Sequence, residues 1–258
     1  MISDLDTLKS FLAYPLENSD AVFARFAGIP GAIARGKRPE RFVYLPGKRK
    51  DRVLLVAHAD TVWDDGIADG PANTYIERDG EIVADPARGI GLGADDRAGC
   101  AVLWLLRGLG HSLLLTDGEE QGRRGSNWLM EDCAGMAAEI NGGHGFAVEF
   151  DRGCDRQYKC YNIGTPEFRA YIERTLGHTE PDRHANTDIV TLCRDIPGVN
   201  LSLGFYEWHS PDERLVISEW QSSLDRYREW LERPELPKYR LTRAVGENRW
   251  ADRAVDGR

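Results

Sequence analysis

"VLLVAHADTV" (residues 53–62) decides how the chain is read. Val53, Leu54, Leu55 and Val56 form a continuous apolar run, the pattern of a strand covered on both faces. That strand ends by presenting His58 and, two places on, Asp60. The same grammar recurs along the sequence. "HSLLLTDGEE" (111–120) is a buried strand running into Glu119 and Glu120. "GFAVEFD" (145–151) ends at Asp151. "GVNLSLGFYEWH" (198–209) reads as a fourth strand, 199–206, ending near His209. "RAGCAVLWLLRGL" (97–109) is a buried helix with Ala98, Ala101, Val102 and Leu105 on one face, and Asp95 and Asp96 lie in the loop before it. "TDIVTLCRDI" (187–196) is a further helix. Apolar strands alternating with helices predict an α/β fold: a mostly parallel, mixed sheet with helices on both faces. Ligands of such sheets bind outside the carboxyl ends of the strands, which is where the acids and histidines collect.

Working outward, the first 35 residues read as helical. "DLDTLKSFLAY" (4–14) has a helical apolar period after a capping Ser3, and a second short helix covers Asp20 to Phe26. "RFVYLPGKRKDRVLLVAHAD" (41–60) is strand, turn, strand. "NTYIERDGEIVA" (73–84) alternates on both sides of Asp79-Gly80, a hairpin signal. "ISEWQSSLDRYREWLERPEL" (217–236) is an amphipathic helix that stops before Pro234. Residues 1–237 are expected to form a single domain, with 238–258 as a polar tail.

Composition narrows the function. The 258 residues carry a net charge of -9, with 41% hydrophobic and 29% charged residues. That is an ordinary globular chain with no basic stripe for nucleic acid. Nothing approaches the apolar run of a membrane span, and the N-terminus lacks the basic-then-apolar order of a signal peptide. Five cysteines without a CxxC pair suit reduced thiols in the cytoplasm. The glycines of "GIGLGADD" (89–96) do not have dinucleotide-binding spacing, and Asp95 and Asp96 would repel a pyrophosphate.

Two histidines and several carboxylates at one end of one sheet form the decisive constellation. Carboxylates brought together without compensation repel one another and rise in pKa. Divalent cations remove that penalty. Imidazole and carboxylate without thiolate suit zinc, cobalt or manganese, and two bridged ions make a hydrolytic site.

Five segments, "HADTV" (58–62), "GLGADDRAG" (91–99), "DGEEQGRRGS" (117–126), "EFDRG" (149–153) and "NLSLGFYEWHSPDE" (200–213), together resemble the di-zinc exopeptidases. These are the co-catalytic zinc aminopeptidases and, more distantly, the aminoacylase/carboxypeptidase and tripeptidase T groups. The segments occur in the family's order. The resemblance implies a zinc-exopeptidase-like single domain holding two metal ions. His58 and Asp151 would bind the first and Glu120 and His209 the second, with Asp95 bridging. Asp60 would fix the tautomer of His58, and Glu119 would be the general base. The peptide after the bridging aspartate, here Asp95–Asp96, is often cis in the family. Asp151 and His209 stand only 58 positions apart, so the dimerisation domain that the aminoacylase group inserts there is not expected.

Other polar residues carry two readings each. Arg97 could contact substrate or pair with Asp96. Asp188 could be a cap-region acid or hold a substrate amine. Glu149 reads as a strand residue, and His178 and His184 as loop residues. Arg123 and Arg124 could face solvent or meet an acidic group. The expected activity is hydrolysis of a peptide or amide bond, of the aminopeptidase type. The rivals are a deacylase of N-acyl amino acids and a non-catalytic binding module on the same fold. The partner is then a small peptide or acylated amino acid, neither nucleic acid nor membrane, with a homo-oligomer left open.

Overall fold

The computed structural model describes residues 2–67, 70–182 and 186–241. Its largest sheet has seven strands: β1 (Ile33–Lys37), β2 (Glu40–Leu45), β3 (Leu54–His58), β6 (Ser112–Thr116), β7 (Ala147–Arg152), β8 (Tyr158–Lys159) and β9 (Gly198–Ser202). They lie in the order β1-β2-β6-β3-β7-β9-β8. β6, β3, β7 and β9 are mutually parallel, and antiparallel strands close both edges. The fold is therefore the mixed, centrally parallel α/β sheet expected from the apolar runs.

Strand alternation divides the core. Leu55 and Ala57 of β3, with Leu113 and Leu115 of β6, face one apolar cluster; Leu54, Val56 and Leu114 face the other. The first cluster takes helices α1 (Asp4–Leu12), α2 (Asp20–Ala27), α3 (Ala94–Leu106), α6 (Pro166–Leu176) and α8 (Ile217–Glu232). The second takes α4 (Arg124–Asp132), α5 (Ala134–Gly143) and α7 (Asp188–Leu192). Local signals fix several ends. Ser3 and Asp6 form a reciprocal capping box on α1. Thr165 caps α6, Pro166 opens it, and Gly177 closes it at φ 67°.

A second sheet, in the order β10-β11-β5-β4, is antiparallel throughout: β4 (Tyr75–Arg78), β5 (Glu81–Ala84), β10 (Phe205–Tyr206) and β11 (Arg214–Val216). β4 and β5 form the expected hairpin, with positive φ at both Asp79 and Gly80, as a two-residue type I′ turn requires.

The strand, turn, strand expected over 41–60 is β2 and β3, and β6 lies between them and bonds to both. Two expectations need correction. The strand read as 199–206 is two strands in two sheets. Gly204 turns the chain at φ 73°, where a Cβ would lie 2.6 Å from Glu219 Cβ. The opening 35 residues are not all helical, since β1 begins at Ile33. The tail begins by packing on the body: the Tyr239 ring sits edge-on or tilted against Phe146, Phe168 and Tyr171, and the Leu241 amide donates to the Asp195 carbonyl. Residues 242–258 lie outside the described residues.

Gly99 sets a close approach between α3 and β7. A Cβ there would sit 1.9 Å from the Phe150 carbonyl oxygen and 2.2 Å from Asp96 Oδ1. The missing side chain lets the start of α3 lie directly on β7, which brings Asp95 to Asp151. Gly108, just beyond α3, has nothing within 4 Å of an added Cβ. Gly99→Ala is therefore expected to lower unfolding free energy by about 2 kcal/mol or more, and Gly108→Ala to stay within about 0.5 kcal/mol. Urea titration of both variants checks this, and equal midpoints would refute the packing argument.

Candidate active site

His58 is the last residue of β3 and is fully buried. Its Nδ1 lies 3.1 Å from the Asp60 carbonyl oxygen and 3.3 Å from Asp60 Oδ1. Nε2 points the other way, 3.2 Å from Asp95 Oδ1 and 3.5 Å from Asp151 Oδ1. Asp95 turns its second oxygen to another imidazole: His209 Nε2 is 3.2 Å from Asp95 Oδ2 and 2.8 Å from Glu120 Oε1. Two three-donor nests result, His58–Asp95–Asp151 and Asp95–Glu120–His209, and they share one carboxylate. The structure thus brings together five residues that the sequence places up to 151 positions apart.

Anchoring acids hold the nests in place. Asp60 accepts the Glu119 and Glu120 amides, each at 3.1 Å, and so ties the end of β3 to the turn after β6. Burial opposes its charge, but His58 and the Glu119 amide outweigh that and lower its pKa. Asp96 accepts the His58 and Gly99 amides, each at 3.0 Å. The Asp95–Asp96 peptide is cis. Glu213 accepts the Gly93 amide at 2.7 Å and the Asp95 amide at 3.2 Å. Its carboxyl is pushed up to about 7, by burial first and then by Asp95 among its neighbours, although the accepted amide bonds oppose the rise.

Asn200 and Thr187 hold Asp151. The Asn200 side chain pairs with the Asp151 backbone at 3.0 Å in both directions, and Thr187 Oγ1 donates to Asp151 Oδ2 at 2.8 Å. Sequence reasoning assigned no role to Glu213, Asn200 or Thr187. The one available signal was an amide inside an otherwise apolar strand, "GVNLS" (198–202).

A cavity of about 190 Å³ opens over the nests. Asp95, Glu119, Glu120, Asp151 and His209 line it, together with Arg152, Gly153, Tyr161, Asn186, Thr187 and Trp208. Glu119 faces it without belonging to either nest. Burial raises the Glu119 pKa well above the usual carboxylate value, and Asp151, Asp188 and Glu120 add to this against the opposing charge of His58.

Asp188 and Arg97 are engaged elsewhere. The buried Asp188 carboxylate accepts from Ser126 Oγ at 2.5 Å and from Thr116, and it does not line the cavity. Arg97 is buried and donates to the carbonyls of Ala59, Pro15 and Asn18. Both side chains tie elements together, and a substrate contact by either has no geometric support. Arg124 pairs with Glu40, and Arg123 donates to Thr191. His178 is buried against Tyr227 and the Leu176 carbonyl, so it is not a loop residue in solvent. Glu149 is fully buried in β7, where burial, Asp151 and Asp188 raise its pKa well above normal. His184 lies outside the described residues.

The donor set fits a pair of cations. Donors about 2.0–2.1 Å from a tetrahedral zinc stand about 3.3 Å from one another, and the four imidazole–carboxylate separations run from 2.8 to 3.5 Å. Glu120 Oε1 is buried without a hydrogen bond of good geometry. No thiol joins either nest.

By sequence, the chain matches no protein-family model and none of the curated proteins. Solved structures do match it. The aminopeptidase PepT of Bacillus cereus ATCC 10987 aligns with a TM-score of 0.63 at 14% identity, over 90% of this chain and 98% of that one. A tripeptidase of Staphylococcus aureus gives 0.60 at 15%, and a TET aminopeptidase of a marine-sediment archaeon (Thaumarchaeota archaeon SCGC AB-539-E09) gives 0.62 at 12%. Each of these also covers 90% of this chain and 98% of the other. What the likeness establishes is a shared fold.

Proton competition supplies a test of the fit. Burial opposes a charge on His58, but Asp151, Asp60 and Asp95 raise its pKa well above 6.5. Asp95 and Glu120 push His209 up to about 10. The neighbouring acids thus favour protons on both imidazoles, and a cation must compete with them. Zinc affinity should fall as pH drops from 8 to 6, about tenfold per pH unit for each proton displaced. Calorimetry in two buffers of different ionisation enthalpy reads the released protons directly. Zinc uptake without proton release would contradict the assignment.

Proposed function

We propose that the chain is a two-metal hydrolase of peptide or amide bonds, most simply an aminopeptidase acting on small peptides. The observation that carries this reading is the pair of nests sharing Asp95, with Glu119 unligated on the same cavity wall. His58 and Asp151 would hold one ion and Glu120 and His209 the other, with Asp95 between them. Zinc suits the donors best, with cobalt or manganese as substitutes. When bound, the ions would acidify a water and polarise the substrate carbonyl.

The chain's own groups do the rest. Asp60 holds the His58 ring so that Nε2 faces inward, the positioning that an outer carboxylate gives a ligating imidazole. Glu119 takes the proton of the attacking water and returns it to the leaving nitrogen. A carboxyl whose pKa burial raises suits both halves of that task. Glu120 sits beside it with its oxygen committed to the second nest. Adjacent glutamates thereby acquire different duties from their surroundings.

Arg152 on the cavity wall, held there by a hydrogen bond from Nη2 to Gln157 Oε1, favours a second reading. A guanidinium there matches a substrate whose free carboxylate lies close to the scissile bond, as in an N-acyl amino acid. A panel of aminoacyl anilides and N-acyl amino acids separates peptidase from deacylase. A binding module that had lost catalysis would have no need of Glu119. On this reading residues 1–237 form the catalytic domain, working in the cytoplasm as a monomer or a homo-oligomer.

Elemental analysis of purified protein should find two metal equivalents per chain. Glu119→Gln should keep both and lose about 10²–10⁴-fold in kcat, the span of a positioned general base. Full activity in that variant would remove Glu119 from the chemistry, and a metal-free active protein would remove the whole proposal.

A further inference from the structure

Tyr161 follows β8 in a turn and has φ 49°, a region that bulky residues rarely adopt and that concentrates at functional sites. The turn is clamped on both sides. Glu180 accepts the Cys160 amide at 2.8 Å. Arg169 donates to the Tyr161 carbonyl and pairs with Glu180. One ion pair thus fixes the peptide groups before and after the strained residue.

The phenol is fixed as well. Asn200 Oδ1 accepts the Asp151 amide, which settles the orientation of the side-chain amide. Nδ2 then donates to the Asp151 carbonyl at 3.0 Å and to the Tyr161 hydroxyl at 3.2 Å. The phenol oxygen is therefore an acceptor in that bond, and its own hydrogen has no acceptor among the described residues. Tyr161 lines the cavity with Asp95, Glu119 and Asp151. A tyrosine kept only for packing would not need a strained backbone, a clamped turn and a hydroxyl held beside a candidate ligand.

We propose that Tyr161 is a catalytic residue whose hydroxyl donates a hydrogen bond to the scissile carbonyl oxygen and strengthens that bond as the oxygen gains charge. This rests on the hydrolase reading above. The phenol keeps its proton throughout, since burial raises its pKa, and proton transfer stays with Glu119. Asn200 is a positioning residue: the same amide that steadies Asp151 aims the donor, so donor and metal site keep a fixed distance. A donor that acts mainly on the charged state raises kcat more than it tightens ground-state binding.

Tyr161→Phe removes the hydroxyl and leaves the ring. Its kcat on an aminoacyl anilide should fall on the order of 10²-fold, with KM within about threefold of wild type. Metal content and melting temperature should not move. Binding supplies a readout independent of turnover. By calorimetry, a phosphinic dipeptide, whose tetrahedral oxyanion resembles the charged oxygen, should bind the variant at least about tenfold more weakly, while a product amino acid binds both alike. An active wild type beside a Tyr161→Phe variant with unchanged kcat and unchanged phosphinic affinity overturns the Tyr161 role and leaves the hydrolase reading intact. A wild type that neither turns over the substrate panel nor binds the phosphinic dipeptide overturns both.

Discussion

Carboxylates buried within a few ångströms of one another are the constraint around which the rest of the structure is arranged. Desolvation and mutual repulsion both oppose their ionisation, so each must find a positive partner or keep its proton. The structure sorts them into two sets. Asp60, Asp96 and Glu213 commit their oxygens to pairs of backbone amides, and Asp188 commits its own to two hydroxyls. Asp95, Glu120 and Asp151 instead turn oxygens towards the two imidazoles and the cavity. The first set is satisfied by protein donors and fixes geometry. The second is left with an excess of negative charge that imidazole alone does not offset, and this is the physical sense in which the site calls for cations.

The anchoring acids also explain how a site made from distant segments holds its shape. Each one bonds across an element boundary. Asp60 joins β3 to the turn after β6, Asp96 joins the start of α3 to β3, and Glu213 joins the second sheet to the loop before α3. Arg97 adds a link from α3 to the carbonyls of Ala59 and Pro15. The bonds to the Asp60 carboxylate and from the Arg97 guanidinium have a charged partner and are stronger than neutral ones. Gly99 then lets α3 and β7 approach closely enough for Asp95 and Asp151 to serve the same imidazole. Loss of one of the amide links would leave a buried acid short of a donor, so positioning and stability are carried by the same contacts.

Much of this was legible in the sequence, for a definite reason. Central parallel strands are largely apolar on both faces, so the polar residues at their carboxyl ends stand out, among them His58, Glu119 with Glu120, and Asp151. What stayed hidden depends on long-range pairing. Nothing local in "RFVYLPGKRKDRVLLVAHAD" (41–60) shows that β6 will separate its two strands. The apolar run through 199–206 conceals the turn at Gly204, because Leu203 and Phe205 are buried on both sides of it. Arg97 and Asp188 each carried a structural and a substrate reading, and only the folded packing reveals the carbonyls and hydroxyls that enclose them. α6 was a different matter. Its Thr165, Pro166 and Gly177 are ordinary local signals, legible without any tertiary information.

The two nests differ in surroundings, and the difference follows from which sheet supplies them. His58 comes from a central strand and its side chain is 1% exposed; His209 comes from the loop between β10 and β11 and its side chain is 38% exposed. Residues Glu207 and His209 both adopt positive φ in that loop, and Glu213 at its far end ties it to the Asp95 segment. Electrostatic attraction weakens as solvent enters. In the proposed centre an ion held by His58, Asp95 and Asp151 would therefore sit in the drier and more rigid nest. Its partner at Glu120 and His209 would be open to the cavity and to the Trp208 side of the wall. The second sheet adds Ile82, Ala84, Phe205 and Leu215 to the larger apolar cluster, and its β10–β11 loop delivers the histidine that leaves one side of the site approachable. An arrangement with both histidines on central strands would bind ions firmly and leave a substrate carbonyl no way in.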